Sequence, residues 1–463
     1  MAESIGTGED KMINLFDNYS EKSRDLHISL LMSGFKNTTV VIHDDGFLPN
    51  DVISPIEIVL KEHNCTLEGT PRYFNEIEMP SSWEIIAQAK SGTIWDKGIV
   101  RGKIDYAYKD NSRIVKSVDW YGHTPIPIVT DHYNQWGWKF AVTTRNKIGK
   151  PILTIYLTKK GKIVLEKYHQ SGMSIYHTTD GELRFFKRDV NLVDYCLKKN
   201  HLNSNGIIFN TLSTSFFVVL NRSMREKHYL FWQEKVQTDI PGNMEYILKK
   251  RNDIQILVQN VSDYKKICKI IPDNKLKNVH YLGYIFPFKR KNKGRKQILI
   301  YTASDDLASI TKLINSLPDF VFNIAATTKM SSKLLELGSI SNVKLFPVID
   351  KNKLDGLLLS CDFYLDINNG RELNGILKKA FENNMLIMSF DGINHSRRFT
   401  ADDFIFDSHD FGSMVNLMRE VTISNNHRED CLQRQHKKAD TDRVIHYRKS
   451  IYMNDMTGSG AKP

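Results

Sequence analysis

Two series of short strand-like runs, spaced by helix-length segments, restrict what this chain can fold into. The first comprises 39–42, 207–209, 229–232, 254–258 and 279–282; the second comprises 298–301, 320–324, 343–346, 363–367 and 386–390. The short continuous apolar run 39–42 suits a buried parallel strand, and helix-length spacers between the strand-like runs imply parallel neighbours. Between 66 and 190 the period changes to two. Ile104, Tyr106 and Tyr108 alternate with Lys103, Asp105 and Ala107, and Asp180-Gly181 marks a hairpin needing two positive-φ residues. Strands this closely spaced pair antiparallel, because a parallel crossover takes a dozen residues or more.

The expected fold class is therefore α/β: two Rossmann-like halves, each with a parallel sheet, and an antiparallel β-meander inserted in the N-terminal half. The expected domains are an expression leader at 1–11, an N-terminal half at 12–65 and 191–288, and the inserted meander at 66–190. A basic linker at 289–296, a C-terminal half at 297–427, and a helix and tail at 428–463 follow. Leu15, Phe16, Tyr19, Leu26, Leu30 and Leu31 draw a helical stripe from Met12 to Met32, and a long polar helix is expected over 428–449.

A chain of 463 residues exceeds one compact core, and its 41% apolar content with six Trp, 19 Tyr and 23 Phe excludes a disordered class. The five cysteines (Cys65, Cys196, Cys268, Cys361, Cys431) are odd in number and scattered, so neither a metal site nor a disulfide framework is expected. No cofactor is expected. No apolar run reaches the roughly 18 residues of a membrane span. The N-terminus lacks a hydrophobic signal core, which points to a cytoplasmic protein.

The formal net charge of +11 suggests an anionic partner, and the densest basic run is 289–296. That run reads either as a solvated linker or as a peripheral contact with the anionic cytoplasmic face of a membrane. Nucleic acid is not expected, because no aromatic RNA-binding signature, zinc finger or helix-turn-helix accompanies the charge.

The stretch 369–381 carries the chemistry, and it matters for what it lacks. Its frame of strand, glycine turn, helix and strand resembles the donor-binding βαβ unit of retaining GT-B glycosyltransferases. In those enzymes one acidic residue opens the helix, and a second, eight positions later, accepts hydrogen bonds from the ribose of the nucleotide sugar. The corresponding residues here are Arg371 and Lys379, which only donate. Where such enzymes place cations for the departing diphosphate, after the first strand of the C-terminal half, this chain has Asp305 and Asp306. Ser304 or Asp305 also reads as a helix cap, and Asp44-Asp45-Gly46 as a turn. The donor site is thus expected to be degenerate, with no catalytic residue; an active retaining enzyme using a UDP-sugar is the alternative.

Five of the six tryptophans fall in the meander. Trp136 and Trp138, two apart and so expected on one strand face, and Trp120 are candidates for a partner surface as well as for the core.

Leu15-Phe16-Asp17, Ser33-Gly34-Phe35 and the block 40–49 with Ser54-Pro55 behind it are more specific than the βαβ order. Over about 12–449 the chain closely resembles the accessory Sec glycosylation chaperones, the non-catalytic B subunits of two-subunit O-GlcNAc transferases for serine-rich repeat adhesins. The resemblance implies a GT-B-like fold and a 2:2 heterotetramer. Its catalytic A subunit would transfer GlcNAc, while the B subunit would stabilise it and hold the adhesin acceptor before accessory Sec export. Arg371 and Lys379 are then candidates to line an acceptor cleft, or are simply solvated charges.

Overall fold

The computed structural model describes residues 12–88, 90–108, 112–202, 206–408 and 410–452. The leader expected at 1–11 and the tail beyond 452 lie outside the described residues. The chain divides into two compact units, with the boundary between Leu282 and Gly283.

In the first unit a parallel sheet runs in the order Val279–Tyr281, Ile254–Val258, His228–Trp232, Ile207–Phe209, Ile13–Phe16, Thr38–Val41, Val52–Ile53. Ile13–Phe16 corrects the expected helix. Its four residues are all buried, with strands paired on both sides. Burial between two neighbours outweighs the helical stripe that Leu15, Phe16 and Tyr19 draw. The helix begins only at Glu21, after Ser20, whose Oγ accepts from the Ser23 backbone N–H.

The insert is a ten-stranded antiparallel meander running in sequence order from Glu84–Ala87 to Leu183–Phe186. Register places Tyr156, Leu165 and Tyr176 in one cross-strand row. These pack with Ile56, Val59, Leu192 and Cys196 of helices Pro55–Glu62 and Asp189–Lys199. The opposite face is covered by Ile77 over Ile94, Ile104 and Val118 at the early strands. Towards the later strands it carries another row, Val142, Ile155, Glu166, Ile175 and Phe185, half-buried until Phe185 at 62% exposed. The hairpin at Asp180-Gly181 differs from the expected two-residue turn. Thr178 to Glu182 form the loop, and Gly181, not Asp180, takes positive φ.

The second unit holds a parallel sheet in the order Val343–Phe346, Val321–Ala326, Gln297–Thr302, Phe363–Asp366, Leu386–Phe390, Ile405–Phe406. Apolar clusters lie around it, one including Ile298, Phe322, Phe363 and Met388, another Leu299, Tyr364, Ile387 and Phe381. The long terminal helix is two, Asn425–Lys438 and Val444–Tyr452. They are separated where Asp440 takes φ +56° and Tyr284 bonds on either side of it, donating to Asp440 O and accepting from Asp442 N. The basic run 289–296 is not a solvated linker. Arg290 and Arg295 both hold the fully buried carboxylate of Asp362, and Lys296 pairs with Asp319.

Candidate functional site

Ligands of open parallel sheets collect at the carboxyl ends of the strands, where the strand order reverses. In the second unit that point lies between Gln297–Thr302 and Phe363–Asp366, which pair with each other while the chain proceeds to opposite sides. The loops leaving these two strands are stitched together. Ala308 N donates to Ile367 O (2.9 Å), Asn369 N to Asp306 O (3.0 Å) and Asn369 Nδ2 to Asp306 Oδ2 (2.7 Å). A Cβ at Gly370 would lie 2.9 Å from Asn368 Oδ1 and 3.2 Å from Ser304 Cβ, so the loops already approach as closely as side chains allow.

His395 closes the same point from a third loop. Its backbone N–H donates to Asp366 Oδ2 (2.8 Å), while Nδ1 meets Asp366 Oδ1 (2.6 Å) and Nε2 meets Gly370 O (2.7 Å). Both ring nitrogens face acceptors only, so both donate and the ring is an imidazolium. The Asp366 hydrogen bond leads the causes that push its pKa up to about 9. A histidine raised above its ordinary 6.5 gives stability that is whole below that value and is lost as pH rises through about 9. His395→Ala is expected to lower the melting temperature of the second unit at neutral pH. The gap to wild type should narrow above pH 9, as followed by circular dichroism; a constant gap across that range would contradict the charged pair.

Asp306 is thus the one expected donor-site residue built into the closed point. Arg371 lies exposed in the loop, ahead of a helix that begins only at Ile376, which corrects its expected place at the helix opening. Gly375 in the left-handed region delays that start. Lys379 is half-buried within the helix and Asp305 is exposed; none of these three makes a side-chain hydrogen bond or ion pair among the described residues. Neither Ser304 nor Asp305 caps a helix, because Ser309 precedes the helix Ile310–Ser316. One strand over, a cavity of about 310 Å³ is lined by Thr302, Ser304, Asp305, Thr328, Lys329 and Ser331. Sequence reasoning missed His395; a histidine 29 residues from its carboxylate partner leaves no local spacing signal.

In the first unit, the block 40–49 fixes the meander to the sheet. Asp44 Oδ1 accepts from Gly46 N (2.7 Å) and Oδ2 from Ser54 Oγ (2.6 Å), so the expected turn is present. Gly46 O accepts from Gln135 N (2.8 Å), and Leu48 O from Gln135 Nε2 (2.9 Å). A Cβ at Gly46, whose φ is +86°, would meet Tyr133 O at 2.6 Å, so only glycine fits. Trp136 therefore lies in a hairpin turn clasped by this block, and Trp138 closes it. They do not share an open strand face. Trp138 is 6% exposed, Trp136 packs on the same cluster, and Trp120, half-buried, donates Nε1 to Asp131 (3.0 Å).

Burial pushes the Asp44 carboxyl up to about 6 from 3.8. The folded state binds this proton more tightly, so its contribution is whole below 3.8 and lost as pH rises through about 6, an effect of about 3 kcal/mol. Asp44→Asn, which keeps an acceptor for Gly46 N, is expected to raise stability at neutral pH and flatten its change between pH 4 and 7. Denaturant titrations across that range check it; an unchanged slope would exclude Asp44 as its source.

Family models match four successive segments: GtfB N-terminal domain at 13–57, GtfB middle domain at 83–187, GtfB third domain at 189–270 and GftB/GlyA-F C-terminal domain at 298–435. The UDP-N-acetylglucosamine–peptide N-acetylglucosaminyltransferase stabilizing protein GtfB of Streptococcus agalactiae is 37% identical over 418 residues, 89% of this chain and 93% of that protein. Its counterpart of that name in Limosilactobacillus reuteri is 36% identical over 398 residues, 85% of this chain and 88% of that one. A chain in the crystal structure of a GtfA/B complex bound to UDP and GlcNAc superposes with a TM-score of 0.88 at 33% identity, covering 96% of this chain and 99% of that chain. The pneumococcal O-GlcNAc transferase GtfA, with a TM-score of 0.51 at 11% identity over 96% of this chain and 99% of its own, shares the fold alone.

Proposed function

This chain belongs to the GtfB family of O-GlcNAc transferase stabilizing proteins, and from that premise we propose that it also presents a serine-rich repeat adhesin to its catalytic partner for glycosylation before accessory Sec export. The fold is GT-B-like, and the role is that of a non-catalytic subunit that stabilises the GtfA-type transferase. The observation that carries the non-catalytic reading is the closed switch point. His395, Asp366 and Gly370 occupy it, and the residues aligned with ribose recognition, Arg371 and Lys379, cannot accept a hydroxyl proton. A UDP-sugar would have to displace an internal ion pair and then meet only donors at the two positions aligned with ribose recognition.

Arg371 and Lys379 remain available to donate to acceptor carbonyls, in keeping with tethering that raises acceptor concentration near the partner's site. A 2:2 assembly on the cytoplasmic side of the membrane belongs to the same reading. Among the described residues no helix is long and apolar enough to cross a membrane.

The partner's docking face is best sought on the meander, in the row Val142, Ile155, Ile175 and Phe185. Its opposite face is already filled by helices, and an apolar sheet face open to water usually marks a partner.

Calorimetric titration tests the non-catalytic reading. UDP and UDP-GlcNAc are expected to give no heat with the isolated chain, whereas co-expression is expected to raise the yield and melting temperature of the transferase. Micromolar UDP binding at the C-terminal switch point would return the enzyme reading.

A further inference from the structure

A second cavity, of about 300 Å³, lies in the first unit, away from the carboxyl ends of its own parallel strands. It is lined at the amino end of Ile254–Val258 by Ile254 and Ile256, where ligands of parallel sheets do not ordinarily bind. Its remaining walls come from the end of helix Gly242–Lys250 and the 3-10 turn Asp273–Asn278. The chemistry is one-sided. Arg251, Lys275 and Lys277 supply cations and Asn252, Asn274 and Asn278 supply carboxamides, while Ile247, Leu248, Ile254 and Ile256 form an apolar side. Among the described residues no carboxylate is part of its wall, Asp253 being reached only through Arg251.

Arg251 makes this a built site and not a scatter of surface lysines. It is 4% exposed, and Nε (2.8 Å) and Nη2 hold Asp253, which fixes the guanidinium in place. Its Nη1 makes no hydrogen bond among the described residues, leaving donors uncommitted in a wall that Lys275 and Lys277 also line. A fixed guanidinium flanked by ammonium groups and amide donors matches the oxygens of a phosphate group. The volume is at the small end of the range for ligand pockets.

We propose that this cavity is a binding site for a phosphate ester with a short apolar portion, separate from the acceptor and partner functions. The ester is either a free metabolite or the headgroup of an anionic phospholipid. The exposed Tyr246, Lys249 and Lys250 on the adjoining helix would reach a membrane surface in the second case.

The test titrates the full chain with glycerol 3-phosphate by calorimetry and, separately, floats it with vesicles of phosphatidylcholine and phosphatidylglycerol. Lys275→Glu with Lys277→Glu changes two exposed positions of the wall, and Lys159→Glu with Lys160→Glu makes the same charge change in an exposed meander turn. Binding should weaken at least tenfold in the first pair and stay near wild type in the second. Glycerol 3-phosphate binding without flotation identifies a free ester; flotation sensitive to the first pair alone identifies a headgroup. The proposal falls if neither probe binds, or if both variant pairs weaken binding equally.

Discussion

Asp362→Ala is expected to destabilise the second unit by about 3–5 kcal/mol, roughly 10 °C or more in its melting temperature, while leaving the first unit folded. The carboxylate is fully buried and collects five donors. Oδ2 accepts from Lys293 N (3.0 Å), Arg295 N (2.8 Å) and Arg295 Nε (3.1 Å), and Oδ1 from Arg295 Nη2 (2.8 Å) and Arg290 Nη1. Burial alone would push its pKa up; the hydrogen bonds from Arg295 and Arg290 outweigh it and hold the carboxyl below its usual range. A depressed carboxylate gives stability that is whole above its unfolded value and lost as pH falls through the folded one, so the pair contributes fully at neutral pH. Alanine leaves the largely buried Arg290 guanidinium and part of Arg295 without their carboxylate partner, which costs more than the lost attraction alone. Asp362→Asn, which keeps one acceptor, should fall between. The molecule supplies its own control, since all six tryptophans precede Leu282. Tryptophan fluorescence should therefore report an unmoved transition while circular dichroism shows a second one at lower temperature. A single shifted transition in both signals, or none in either, would contradict this assignment.

That prediction also shows where the sequence stopped being legible. The run 289–296 looks solvated because the partner of its two arginines, Asp362, stands about 70 positions away, just before a strand. His395 was invisible for the same reason, since its role needs Asp366 and Gly370 brought to it by the sheet. Local pattern served where burial itself is local. The runs 254–258 and 386–390 are apolar except for Gln255 and Ser389, because strands buried on both faces leave little room for polar side chains. The closely spaced alternating runs of 66–190 gave an antiparallel meander for the matching reason. The same logic misled at 12–32, where a four-residue strand is followed after only four residues by a helix and their apolar residues merge into one stripe. For the tryptophans, a spacing of two within a turn is not a strand face, and Gly137 at φ +84° between Trp136 and Trp138 was the available warning. Of the candidate donor site, the loss of acceptors at 371 and 379 could be read from residue type, but the internal closure that accompanies it could not.

Ile155→Asp combined with Phe185→Asp is expected to weaken association with the catalytic partner at least a hundredfold while leaving this chain's own melting temperature nearly unchanged. Both residues lie in the uncovered meander row, one half-buried and one 62% exposed, so a carboxylate there stays partly hydrated in the free chain. At an interface it would lose that water with no cation supplied by this row, whose one charged member, Glu166, is itself acidic and already held by Tyr168 and His177. Two such groups at a few kcal/mol each exceed a hundredfold in affinity, which needs only about 2.7 kcal/mol. The opposite face gives the contrast. Tyr176→Asp would strike the cluster shared with Leu192 and Cys196, so it should unfold the insert instead of selectively blocking association. Co-purification with the tagged transferase, alongside melting curves of each variant alone, separates the two effects. If the double variant still co-purifies at wild-type levels, the later strands of the meander are not the docking face. If it melts early, the row is internal packing, and the partner surface must be sought elsewhere on the chain.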